Sequence, residues 1–430
     1  MSEAQTPARP AAALQWEAGD TSRIPFAVYT DEQLHREELE RFFYRGHWCY
    51  VGLEAEVPRP GDFKRTVVGE RSVILSRAAD GQLHCFENVC AHRGMQFCRA
   101  RHGSGVKEFV CPYHQWSYTL AGDLQGVPFR RGVRQDGKIN GGMPADFKLE
   151  DNGLTRLKVA CRGGVVFASF DHGVESLEDY LGPEILRYFD RLFNGRKLKI
   201  LGYNRQRIPG NWKLMQENIK DPYHPGLLHT WFVTFGLWRA DNKSELKMDR
   251  HHRHAAMIST RGQSGKADQV TQVSSFKESM QLHDDRFLDI VPEAWWGGPS
   301  AVMTTLFPSV ILQQQVNSVS TRHIQPDGHG AFNFEWTHFG FEDDDEAMTR
   351  RRLRQANLFG PAGFVSADDG EVIEFSQRGF DSKPVHRALA ELGGREVGDT
   401  DHMVTETLIR GMYRYWREVM EKDDEPGGDA

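Results

Sequence analysis

The sequence predicts an α+β chain in two parts: a small all-β domain, then a larger domain whose antiparallel sheet is flanked by helices. Three observations carry this. From Trp48 to about Val159, short apolar runs such as 67–68, 72–75 and 83–86 alternate with the turn signals Gly69-Glu70 and Ala79-Asp80-Gly81, the texture of a compact all-β unit. Beyond Val159 the runs lengthen: 197–203, 301–306, 310–315 and 318–324 read as strands, the last three in antiparallel succession, with helical stretches between. The chain has 430 residues, 39% of them hydrophobic and 26% charged, which supports two domains with substantial cores and excludes a disordered chain.

In order, residues 1–25 read as an arm. Asp31 with Glu32 starts a helix whose apolar face is Leu34, Leu39, Phe42 and Phe43. We place the first boundary at 45/46, with segment 1–45 packing on the larger domain, the all-β domain at 46–159 and the larger domain at 160–430. In that domain a helix led by 181–186, a helix at 211–224 and a last one at about 404–421 are expected. Residues 241–285 are polar and poorly periodic, the pattern of a flexible loop over a site. Residues 342–346 are all acidic and residues 350–352 are three arginines, so acids near a helix start and bases further on suit its dipole and suggest a solvated face. A net charge of −7 argues against nucleic acid as the main partner. No basic segment followed by an apolar core opens the chain, and no run approaches the roughly 20 apolar residues of a membrane span, so a cytoplasmic protein without a membrane partner is expected.

Six cysteines are too few for a disulfide scaffold. Two of them belong to a motif: Cys90-x-His92-Arg93-Gly94 and, 18 residues beyond His92, Cys111-Pro112-Tyr113-His114. Cys₂His₂ also suits structural zinc, although zinc sites usually pair Cys with Cys and His with His. One thiolate and one imidazole from each of two loops suits a [2Fe–2S] cluster of Rieske type. The remaining cysteines, at 49, 85, 98 and 161, read as small buried apolar residues.

The second concentration of chemistry is Glu217 to His229, with His224, His229, Glu217 and Asp221 close together. Asp221 and His224 are three apart and would share a helix face. His224 and His229 are five apart, roughly 140° on an ideal helix, so they cannot serve one ion unless the helix bends, for which Pro225-Gly226 is placed. Two neutral imidazoles suit iron, zinc, copper or nickel, and a distant carboxylate would complete a facial site with open positions. Asp368-Asp369, after the glycine-rich stretch 359–364, offers that carboxylate, and a helix N-terminus alone would explain one of the pair. Two solvent-exposed histidines on an ordinary helix are the plainer alternative.

Together these motifs, including Glu217-Asn218-x-x-Asp221-x-Tyr223-His224 and Gly360-Pro361-Ala362-Gly363, resemble the large (alpha) oxygenase subunit of Rieske non-haem iron aromatic-ring hydroxylases, from about Arg23 to Met420. The resemblance implies one [2Fe–2S] cluster on Cys90, His92, Cys111 and His114, and one mononuclear Fe(II) on His224, His229 and Asp369, the second acid of its pair. It implies that Asp221, with Asn218 beside it, serves catalysis by joining the two centres across a subunit boundary. It also implies an α3β3 assembly with a small beta subunit, and a ferredoxin and ferredoxin reductase as electron donors. NADH would bind the reductase, since this chain has no strand–Gly-x-Gly-x-x-Gly–helix unit. Gln115 departs from the family pattern, which commonly has Gly there, and is expected to adjust loop packing.

The implied reaction is hydroxylation of an aromatic carboxylate with O₂, salicylate to gentisate, or else dioxygenation of an anthranilate- or terephthalate-like acid. A Rieske electron carrier is the reading from another class. Arg322, at a strand end, is assigned to the substrate carboxylate, with Gln315, Met257 and Val365 as further pocket residues. Arg93, Arg99, Arg101, Arg130, Arg131 and Arg134 surround the Cys/His loops and suggest a landing surface for an acidic ferredoxin.

Overall fold

The computed structural model describes residue 14 and residues 16–235, 242–260, 286 and 289–422. The chain divides into two compact units, one of Phe43–Glu175 and one of Met1–Phe42 with Ser176–Ala430.

The N-terminal segment belongs to the larger unit. Helix α1 (Glu32–Glu38) is capped by Asp31, whose carboxylate accepts the Leu34 N–H, and Arg23–Pro25 pairs antiparallel with Arg387–Leu389.

The smaller unit is all β. Strands β1 (Cys49–Leu53), β2 (Phe63–Val68), β3 (Arg71–Arg77), β4 (Leu83–Glu87) and β5 (His102–Gly103) form one sheet with two later strands. A three-stranded sheet follows, β6 (Phe109–Val110), β7 (Ser117–Tyr118) and β8 (Leu124–Gly126), then the hairpin β9 (Val133–Gln135) and β10 (Lys138–Asn140). Strands β11 (Arg156–Arg162) and β12 (Val165–Ser169) complete the larger sheet, in the order β1-β12-β11-β4-β3-β2-β5. The boundary therefore lies at 175/176 and not at 159/160, because β12, buried at every position, pairs with β1, and β11 pairs with β4. The N-terminal boundary falls at 42/43 in place of 45/46.

The larger unit is built on seven antiparallel strands: β13 (Leu198–Ile208), β14 (Lys243–Met248), β15 (Ala255–Thr260), β16 (Ala301–Leu306), β17 (Val310–Gln315), β18 (Ser318–Pro326) and β19 (Phe332–Phe341). Their order is β13-β19-β18-β17-β16-β15-β14. Residues 241–285 are thus not simply a loop. β14 and β15 occupy 243–260, and the remainder of that stretch, 241 and 261–285, lies outside the described residues. β14 is an edge strand, with Ser244, Leu246 and Met248 buried and polar residues outward, which is why it reads as polar.

Among the described residues nine α-helices accompany the sheet; Ala27–Thr30 and Thr230–Thr234 are short and left unnumbered, and seven are numbered. The first is α1; α2 (Leu177–Leu192) starts on its Ser176 cap and is broken at Gly182, where φ is 72°. α3 (Trp212–Lys220), α4 (Pro225–Leu228), α5 (Glu346–Phe359), α6 (Ser366–Ser382) and α7 (Thr407–Met420) follow. α3 packs on β16 and β18, α6 on β13, and α3 also touches α6 and α7. α3 is fixed from below by Glu38, fully buried, which accepts from Trp212 Nε1 at 3.1 Å, Lys213 Nζ at 2.8 Å and Trp416 Nε1 at 2.7 Å. Burying a lysine with its carboxylate partner and two indole donors satisfies groups that would otherwise be costly in the core.

Arg352 departs from the solvated face expected for 350–352. It is 1% exposed and donates to Glu293, Asp344 and the Asn317 carbonyl, tying α5 to the turn after β19. Of the cysteines outside the motif, Cys49 and Cys85 are buried, Cys98 is partly so, and Cys161, near the end of β11, is exposed in place of the buried position expected. Among the described residues no helix is long and apolar enough to cross a membrane.

Candidate metal centres and active site

In the smaller unit the two Cys/His loops meet. Cys90 and Cys111 are buried at 3% and 2% exposure among Phe97, Phe109, Trp116 and Tyr118. Their thiols are neighbours, and burial together with the adjacent Cys90 pushes the Cys111 thiol up. The imidazoles of His92 and His114 are only partly buried, with ring centroids 4.6 Å apart, and His92 stacks on Trp116 at 4.8 Å. Tyr118 Oη lies 3.1 Å from Cys90 Sγ and accepts the Ala91 N–H at 3.1 Å. Two buried sulfurs beneath two accessible imidazoles is a donor set that fits a Rieske cluster, and a hydroxyl at one sulfur is a known lever on its potential.

Gln115 sits in the left-handed region, φ 57°, closing the second loop with its N–H on the Cys111 carbonyl at 2.9 Å. That conformation is the one glycine adopts freely and a side chain adopts at a cost. The departure at Gln115 therefore strains the loop backbone and leaves the four donors in place.

In the larger unit His224, His229 and Asp369 come together, one donor atom of each lying within 4.8 Å of the others. The break that allows this is earlier than Pro225-Gly226. α3 ends at Lys220, and Asp221, φ −95° and ψ 100°, is extended. Asp221 precedes Pro222, and the pyrrolidine disfavours a helical residue before it. The chain restarts at Pro225, the first residue of α4, with His224 as its N-cap. So His224 and Asp221 are neighbours across a turn and do not share a helix face.

Asp369 and Asp368 lie in the first turn of α6 and divide the work. Asp369, 3% exposed, has Oδ1 at 3.2 Å from His229 Nε2 and 3.6 Å from His224 Nε2. Asp368, with its side chain 40% exposed, lies 3.2 Å from His229 Nδ1. Asp221 Oδ2 is 3.6 Å from His224 Nδ1, beyond hydrogen-bonding reach but close enough for attraction. Each imidazole thus turns Nε2 to the common point and Nδ1 to a carboxylate behind it, the arrangement that orients metal-ligating histidines. The sequence reading missed the part played by Asp368, which its adjacency to Asp369 alone does not reveal. Asn218 Nδ2 donates to Asp369 Oδ1 at 3.1 Å.

Charges follow this geometry. Burial would lower His224, yet Asp221 and Asp369 raise it to about 9; burial would raise Asp369, yet both histidines hold it well below the usual carboxylate range. Two imidazoles and one buried carboxylate on a common point fit a non-haem iron site with open positions.

Beside the triad is a cavity of about 150 Å³, the size that accepts a single benzene ring, on the order of 150 Å³. Arg322, Gln315, Met257 and Val365 all line it. Sheet register explains why: Ser244, Ser259, Ala301 and Gln315 form one cross-strand row, and Leu246, Met257, Met303 and Gln313 the next. Ser244, Ser259, Ala301 and Met303 are lining residues the sequence reading missed, since pairing register is not written in any one strand. Arg322 is in mid-strand, not at a strand end. It is 3% exposed, its Cζ lies 3.9 Å from the centroid of the Trp336 ring, and its Nε has no hydrogen-bond partner among the described residues. Burial pushes it down to about 9, with Asp369 partly opposing.

An all-β domain with mixed Cys/His loops, joined to an α+β domain with a two-histidine, one-carboxylate cluster, defines a Rieske-type non-haem iron oxygenase subunit. A Rieske [2Fe-2S] domain is matched by residues 47–136, and the catalytic domain of ring hydroxylating alpha subunits by residues 194–422. The chain is 75% identical over 407 residues to the large oxygenase component of salicylate 5-hydroxylase from Ralstonia sp, covering 94% of this chain and 96% of that one. It is 39% identical over 411 residues to the terminal oxygenase component alpha 2 subunit of terephthalate 1,2-dioxygenase from Comamonas sp, covering 95% and 97%. Naphthalene 1,2-dioxygenase from Rhodococcus sp shares the fold, with a TM-score of 0.75 at 24% identity over 93% of this chain and 94% of that one. This chain belongs to the family of ring-hydroxylating oxygenase alpha subunits, which carry a Rieske [2Fe–2S] cluster and use a mononuclear iron.

Behind the triad, Glu217 on α3 is half-buried and accepts from Tyr413 Oη. Burial raises it to about 7, although Tyr413, Tyr29 and Lys213 favour its charged form. A carboxylate raised in the folded state stabilises fully below its unfolded value and loses that contribution as pH rises through about 7. Glu217→Gln should therefore gain stability relative to the parent between pH 5 and pH 8, by up to about 3 kcal/mol. Denaturant unfolding at the two pH values measures this, and an equal difference at both would contradict it.

Proposed function

We propose that this subunit hydroxylates salicylate to gentisate, with NADH supplying electrons through a ferredoxin reductase and a ferredoxin. The reaction balances as salicylate, O₂, NADH and a proton giving gentisate, water and NAD⁺. The observation that carries the reading is a buried arginine, its Nε without a hydrogen-bond partner among the described residues, at a ring-sized cavity beside a two-histidine, one-carboxylate cluster. The 75% identity to a salicylate 5-hydroxylase component supports the choice of acid.

Cys90, His92, Cys111 and His114 would hold the [2Fe–2S] cluster, and His224, His229 and Asp369 the iron. When bound, these groups supply one-electron transfer and O₂ activation. The chain's own residues do the rest. Arg322 binds the carboxylate in an apolar surround, where a charge-assisted hydrogen bond is strong. Met257, Met303 and Val365 close on the ring and exclude water. Asp221 orients His224 from the Nδ1 side and, with a side chain 21% exposed, can receive a Rieske-loop histidine of a neighbouring copy. That role requires a neighbouring copy of this chain, and the family resemblance adds an α3β3 assembly with a small beta subunit. Arg93, Arg99, Arg131 and Arg134, all exposed on the smaller unit, suit an acidic ferredoxin.

Reconstitution with the electron-transfer partners under labelled O₂ tests the reaction: gentisate carrying one labelled atom is expected, and a cis-diol or catechol carrying two would overturn it. Arg322→Ala should weaken salicylate binding by about 1.5–3 kcal/mol, and an unchanged dissociation constant would remove Arg322 from this role. Asp221→Asn should leave the iron content of both centres unchanged while hydroxylation stops, whereas lost iron would make Asp221 a ligand.

A further inference from the structure

Gln315 and Gln313 lie two apart on β17 and so face the same side of the sheet. Gln315 lines the cavity, while Gln313 stands behind it, opposite the lining residue Met303, and is 0% exposed. Gln313 Nε2 donates to Gln315 Oε1 at 2.9 Å. This occupies the oxygen of the Gln315 amide and leaves its N–H₂ edge for the cavity. A glutamine side chain alone has no preference between its two faces; in this pair Gln313 Nε2 is the donor, and Gln313 Oε1 is buried with no hydrogen-bond partner among the described residues.

We propose that Gln313 is a positioning residue that holds the Gln315 amide with its N–H₂ toward the substrate, so that the pocket selects an oxygen substituent ortho to the carboxylate. The inference rests on the salicylate reading and deepens it. Arg322 and Gln315 then both present donors to the cavity. A phenolic oxygen accepts from Gln315, whereas an aryl amine offers hydrogens to hydrogens and has a poor lone pair. 2-Aminobenzoate (anthranilate) would leave the donor unpaired, and benzoate would leave it facing a C–H. A site built to pair a substrate oxygen discriminates strongly against analogues lacking it, because its own buried polar group is left without a partner.

The test compares dissociation constants for salicylate and anthranilate, by calorimetry on the purified holoenzyme, in the parent and two variants. The parent should prefer salicylate by at least about tenfold. Gln313→Glu provides only acceptors, so Gln315 should turn to donate to it and present its oxygen to the cavity. The preference should then fall by about tenfold or invert. Both ligands carry the same carboxylate, so repulsion by the new charge cancels in the ratio. Gln313→Leu frees the amide to turn and should reduce the preference a few-fold, with thermal unfolding of each variant confirming a folded protein. An unchanged ratio in both variants, or equal weakening of the two acids, would overturn the inference. Gentisate formation by the parent with either result leaves the proposed reaction standing, whereas failure of the parent to bind salicylate removes both.

Discussion

Everything in the larger unit depends on His224 and His229 reaching one point, and a continuous helix forbids that. Pro222 provides the release. It forces Asp221 out of the helical region, ends α3 at Lys220, and lets His224 begin a new short helix at a different angle. The same extended residue is the carboxylate behind His224 Nδ1. Helix termination and imidazole orientation are therefore one event, and a helix running through Asp221 would lose both. The third donor arrives from α6, whose first turn carries one acid forward to the common point and one back to His229 Nδ1.

The anchoring of α3 explains why the point stays put. The helix is held by its Asn211 cap, whose side chain also donates to the His329 carbonyl at 2.9 Å, and from below by the buried carboxylate of Glu38. Fully satisfied polar networks of this kind fix one packing arrangement, because every alternative leaves a buried charge without a partner. Against that fixed helix the sheet presents alternate residues of β14 to β18 as the cavity wall. The buried Arg322 beside Trp336 lies on that wall, and its Nε, without a hydrogen-bond partner among the described residues, suits a wall that meets an anion.

Much of this was legible in the sequence, for a chemical reason. Cys, His and Asp at ligand spacing are few, and Cys90-x-His92, Cys111-x-x-His114 and the His224/His229 pair needed no tertiary information to be noticed. The pocket residues Arg322, Gln315, Met257 and Val365 also meet in one cavity. What stayed hidden depends on pairing. The edge strand β14 reads as polar because only alternate residues are buried, and the β11–β12 pair straddles the expected boundary because strand length says nothing of strand partners. Arg352 looks solvated in a charged run and is buried because three acceptors from elsewhere converge on it. The break at Pro222 was present in the sequence, but Pro225-Gly226 offers a break of the same kind between the two histidines.

The central claim is that two donor sets, one in each unit, serve two iron centres, with Asp369 a ligand and Cys90 and Cys111 independent of it. Iron analysis with EPR of the reduced protein tests this most directly, in the parent and in Asp369→Ala. The account predicts about three irons per chain in the parent, two in the cluster and one in the facial site. Asp369→Ala should retain about two irons and an unaltered Rieske signal. Full retention of iron by Asp369→Ala, or loss of the cluster signal with the mononuclear iron, would contradict it.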